Sequence, residues 1–177
     1  MKKVLLLTVS IIVLSMNICS AQIVQVTEKD VHTFFSELAN AIGNRERIII
    51  YPLGKTITSE QNPYIAYPAA ISCDNENIAL MLMANRANIV SSVIIGCSVS
   101  PGHNMERTSG GLVLCERLII DHIGINQNEY SGILAQLSAN HNRASYWCDS
   151  IKRRTIIENN FDVEREMYYV IISGSDI

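Results

Sequence analysis

The stretch GCSVSPGHNMERTSGGLVLC, residues 96–115, sets two cysteines around a histidine, a glutamate, an arginine and four of the chain's nine glycines. Three chemistries are conceivable there. Ser98 or Ser100 with His103 would make a hydrolase. GCSVS, however, is one residue short of a nucleophile elbow, which needs glycine at 100, where a side chain crowds the strand-to-helix turn. Cys97 with His103 would make a thiol nucleophile, provided Cys97 stays out of a disulfide. The third reading is a binding loop. Residues 98–110 form a 13-residue connection with Pro101-Gly102 as a turn and Ser109-Gly110-Gly111 as an exit. A Cys97–Cys115 bridge would restrain it by about 3 kcal/mol. His103, Asn104, Glu106 and Arg107 would then face outward as the candidate binding residues.

Other motifs give less. The four histidines are His32, His103, His122 and His141. No pair stands at i and i+4 and no HExxH occurs, so no metal is expected. LGKT at 53–56 lacks the glycine a phosphate loop needs five residues before Gly54, where Ile49 stands, so no nucleotide cofactor is expected. His122 falls in the last turn of a helix, where an imidazolium suits the dipole. His141 reads as a buried group bonded to a backbone carbonyl, with a pH-sensitive contact as the sharper alternative. His141 and Cys148 share a helix face but stand about 10 Å apart along it, too far to act as a pair.

The cysteines and the chain's start indicate a compartment. MKK followed by VLLLTVSIIVL and then CSA reads as a secretory signal over residues 1–21, cleaved after Ala21. Lipoprotein processing at Cys19 is the rival, opposed by the bulky Ile18. Residues 22–177 make one domain. Without Lys2 and Lys3 it has 12 basic and 17 acidic residues, a net charge of −5. That balance disfavours nucleic acid, and no second long apolar segment calls for a membrane. Cys73, Cys97, Cys115 and Cys148 imply two disulfides in a periplasmic or secreted setting, with three pairings open.

The elements that would position these groups read mostly as helices. Residues 27–43 carry Val31, Phe34, Phe35, Leu38 and Ile42 at helical spacing, with Thr27 as a cap. Residues 75–95 read as a buried central helix on their Ala, Leu and Met content. The alternative is a hairpin of IALMLMA and IVSSVII around an NRAN turn. That hairpin would favour pairing Cys73 with Cys97 and Cys115 with Cys148. Residues 109–124 suggest another helix. Residues 126–152 suggest a long one, with Asn126 and Glu129 at capping-box spacing and a seam of Tyr130, Leu134, Leu137, His141, Ala144, Cys148 and Ile151. KRR at 152–154 would suit its carbonyl end. RIIIYPL at 47–53 looks extended, and YYVII in the tail favours a strand paired with RIIIY, the alternative being a helix started by Asp162 with Val163, Met167 and Val170 on one face. No internal repeat is visible.

The expectation is a mainly α single domain with two disulfides and a minor two-stranded β element, α+β being the alternative. The expected function is a disulfide-stapled exported binding protein, an inhibitor or immunity protein whose partner is another protein. The small hydrolase above and a carrier of a small apolar ligand are the alternatives.

Overall fold

A strand buried on both faces has no polar side to reveal its period, and one such strand occupies the middle of this molecule. The computed structural model describes residues 24–43, 48–52, 56–57, 64–73, 76–98, 110–140, 142–164 and 166–175. The elements are α1 (Val31–Gly43), β1 (Ile48–Pro52), β2 (Thr56–Ile57), β3 (Ile65–Cys73), β4 (Glu76–Ala84), β5 (Val90–Ser98), α2 (Gly110–Ile123), α3 (Gln127–Ala139), β6 (Arg143–Cys148), β7 (Arg153–Asp162) and β8 (Met167–Ser175). The strands form one antiparallel sheet in the order β1-β3-β4-β5-β8-β7-β6, with β2 also paired to β3. The expectation of a mainly α domain is therefore overturned.

The main correction falls on residues 75–95. They form the β4–β5 hairpin, not a helix. Ile78, Leu80, Leu82 and Ala84 point to one side of β4, and Ala79, Met81 and Met83 to the other. Burial on both sides overrides the helical propensity of Ala, Leu and Met. The turn is built by Asn85, whose Oδ1 accepts the amides of Ala87 and Ile89 at 2.9 and 3.0 Å, with Asn88 in the left-handed region at φ 63°. A bulge follows: Met83 faces Ser92 but Ala84 faces Val90, leaving Ser91 extra.

The long helix expected over 126–152 is two elements. Its start is as expected. Asn126 Oδ1 accepts the Asn128 and Glu129 amides at 3.0 Å, and Glu129 returns to the Asn126 amide at 3.1 Å. The helix stops at Ala139, and Asn142 turns the chain at φ 81° into β6. Ala144 and Cys148 lie four apart, an even number, so they share a face in a strand as well as in a helix. Leu134 of the supposed seam is exposed.

The tail is a strand, but β8 lies between β5 and β7, whereas RIIIY contributes to β1 and pairs with β3. KRR does not end a helix: Lys152 is in the β6–β7 turn, and Arg153 and Arg154 begin β7.

The order has an internal symmetry. One helix-led meander, α1 with β3-β4-β5, meets another, α3 with β6-β7-β8, where β5 pairs with β8. Helical side chains Phe34, Leu38, Leu112, Ile119, Ile133 and Leu137 share a core with the inward residues of β3, β4, β5, β7 and β8. Met81, Met83, Ile94, Met167 and Ile171 form a second buried cluster on the other face. No helix among the described residues is long and apolar enough to cross a membrane.

Candidate functional site

The segment before α1 is held along the start of β5. The Val26 amide donates to the Val90 carbonyl at 3.2 Å, the Val90 amide to the Lys29 carbonyl at 3.1 Å, and the Val31 amide to the Asn88 carbonyl at 2.9 Å. Asp30, not Thr27, caps α1. Its Oδ1 accepts the His32 and Thr33 amides at 2.9 and 3.0 Å, and its Oδ2 accepts the Thr33 hydroxyl at 2.7 Å. Those bonds, the Thr33 hydroxyl first, hold the Asp30 carboxyl below the usual carboxylate range.

Facing this segment is the β6–β7 turn, Asp149 to Lys152, which a carboxylate of α3 positions. Glu129 is buried. It accepts the Ser150 amide at 2.9 Å and the Ser150 hydroxyl while also closing its own helix's capping box. Burial pushes its carboxyl upward, but the bonds from Ser150 and Asn126 outweigh it and the net shift is downward. Lys152 adopts φ 54° at the end of the turn.

Between these walls lies an open groove of about 650 Å³, lined by Val26, Thr27, Glu28, Lys29, Asp30, Thr33, Ile123 and Ser150 to Arg153. Its apolar part is Val26, Ile123 and Ile151, two of them buried in the core. Arg153 ties the walls together, donating to the Gln25 carbonyl and to Glu28 Oε1, both at 3.0 Å. Lys29 donates to the His122 carbonyl at 2.9 Å and pairs with Glu37 at 2.8 Å. Lys152 reaches Asp149 at 3.4 Å across solvent. The outermost charges are opposite in sign: Glu28 on one wall is 87% exposed and Lys152 on the other 78%. The arrangement can recognise paired charges over an apolar floor.

Beside the groove, His122 is nearly buried. Its ring meets Phe34 edge to face, with centroids 4.7 Å apart at 81°, and its Nε2 is 4.0 Å from Glu37 Oε2. Burial, then the Lys29 charge, push its pKa below the ordinary 6.5. It stands in the last turn of α2 as expected, but there burial disfavours the imidazolium.

His103, Asn104, Glu106 and Arg107, and with them Ser100, lie outside the described residues, as do His141 and the leader over 1–21. Ser98 ends β5 on the surface. Cys97, Cys115 and Cys148 are buried. Cys73 stands in β3 opposite Glu76. The groove residues were not singled out by sequence. The usable signals were the DSIK run at 149–152 between two strand-like stretches, and the spacing of Asp30 to Thr33, typical of a helix cap.

Compared with protein-family models, curated proteins and solved structures, the chain has no significant match.

Proposed function

We propose that the protein is an exported, non-catalytic binding protein of the inhibitor or immunity-protein kind, and that it engages a partner protein through the groove between the α1 approach and the β6–β7 turn. The observation that carries this is the placing of opposite exposed charges, Glu28 and Lys152, on facing walls of the groove. Such a rim steers a complementary surface and fixes its register. The loop over 98–110 remains a second proposed contact. A hydrolase using Cys97 is disfavoured because that thiol lies in the core beneath the helices, away from solvent.

The test is affinity capture from periplasmic extract with the wild-type protein, the Lys152→Glu variant and a protein with 98–110 replaced. Lys152 makes only an exposed ion pair, a kind worth about 0–1 kcal/mol, so the variant keeps the fold. A specific partner held by the wild type and lost, or weakened tenfold or more, with Lys152→Glu is expected. Equal capture by wild type and Lys152→Glu removes the groove from the account.

A further inference from the structure

Two side chains have a claim on one carboxylate oxygen beside the groove. Lys29 Nζ stands 2.8 Å from Glu37 Oε2, and the nearly buried His122 presents its Nε2 to the same oxygen from 4.0 Å. Among the described residues that Nε2 is buried and has no hydrogen-bond partner. A buried polar atom without one is uncommon. The ring packs edge to face on Phe34 and bonds its backbone, which keeps Nε2 aimed where it is.

While the ring is neutral, Glu37 belongs to Lys29, which also donates to the His122 carbonyl at 2.9 Å. A proton on Nε2 would place a second cationic donor at the same oxygen, and the two cations repel. Access to water decides which one keeps Glu37. The His122 side chain is 8% exposed and that of Lys29 is 29%. An imidazolium so far from water needs a counter-charge, whereas an ammonium on a flexible four-carbon stem can be hydrated. The Lys29 bond holds the Glu37 carboxyl below its ordinary 4.5, so it remains an anion in mild acid. No other group competes. The charges that face the ring are Lys29 from the α1 approach and Glu37 from α1. On α2 itself Asp121 is exposed. The strands packed beneath α2, β4 and β5, turn Leu80, Leu82, Val93, Ile95 and Cys97 to the helix side, none of them charged in mild acid.

We propose that Lys29, Glu37 and His122 form an acid-operated latch, in which protonation of His122 passes Glu37 from Lys29 to the imidazolium and frees the Lys29 side chain into the groove that it lines. The Lys29 backbone stays tied through its carbonyl to the Val90 amide, so the side chain alone swings. In mild acid the groove gains a mobile cation. A pH dependence of partner binding would rest on the groove reading, but the latch itself does not.

The test is therefore made without a partner, by NMR on isotope-labelled protein between about pH 7.5 and 4.5, the range around an imidazole's ordinary titration. The His122 ring and the two Lys29 ε-methylene protons are followed. Held between two acceptors, those protons give two signals. The expected result is that they merge into the single signal of a solvated lysine with the same midpoint as the ring, and stay separate throughout in His122→Gln. The ring midpoint should fall in Glu37→Gln and rise in Lys29→Met, because Glu37 favours the imidazolium and Lys29 opposes it. Glu37 is 48% exposed, so its variant keeps the fold. Two Lys29 signals persisting below the ring's midpoint, merging unchanged in His122→Gln, or a ring midpoint unmoved by Glu37→Gln would overturn the latch. None of these results bears on groove binding, which the charge reversal at Lys152 decides separately.

Discussion

Single residues in this protein mostly secure the walls of the groove. Lys29 links three elements by donating to the α2 terminus, pairing with α1 and lending its carbonyl to β5. Glu116, fully buried, accepts the Tyr130 hydroxyl at 2.8 Å and joins α2 to α3 inside the core. His122 is the group whose titration reports on this region. Burial and Lys29 depress its pKa, with Glu37 opposing them from α1. The folded state therefore refuses a proton that the unfolded chain accepts below about pH 6.5, the ordinary value. Its contribution to stability is intact above 6.5 and is lost as pH falls through 6.5 toward the folded pKa. An NMR titration should place the His122 midpoint below 6.5, and the denaturant midpoint should fall less between pH 7 and 5 in His122→Gln than in the wild type. A midpoint at or above 6.5 would contradict the buried placement.

Elements show where sequence reading succeeded and where physics hid the answer. The α1 stripe was legible because Val31, Phe34, Leu38 and Ile42 are all buried while the opposite side is polar. The capping box at Asn126 and Glu129 was legible because it is local chemistry. β4 was not, because both of its faces are buried and no alternation survives in IALMLMA. β6 was hidden by a coincidence of periods, although Asn140 and Asn142 marked the break. The packing of α3 on β6 depends on a glycine. A Cβ built on Gly132 would lie 2.7–2.9 Å from the far end of the Tyr146 side chain, which would have to swing aside. Gly132→Ala raises helix propensity by about 1 kcal/mol, but overpacking costs about 1–3 kcal/mol. We predict a net loss of stability in urea denaturation, relieved when Tyr146 is shortened to Leu. A stabilised Gly132→Ala would show that α3 lies farther from β6. At this scale α3 also protects the sheet's end strand, since Gln136 Oε1 accepts the Ser145 amide at 3.1 Å.

The whole molecule is two helix-led meanders joined at β5 and β8. That junction carries the N-terminal segment to the groove through Val90, and it sets the strand distances that keep Cys148 away from Cys73 and Cys97. No pattern in the sequence announced the junction, because β5 and β8 are separated by α2, α3, β6 and β7. Long-range pairing of this kind is written in burial, not in local propensity. The most direct test is a set of inter-strand nuclear Overhauser contacts from isotope-labelled protein. The account predicts cross-strand contacts linking residues 93–97 with 168–172, in the register Ile95 to Val170, together with contacts linking 79–84 to the other side of β5. Consecutive amide-to-amide contacts along 76–95, the signature of a helix there, with none to the tail, would contradict it.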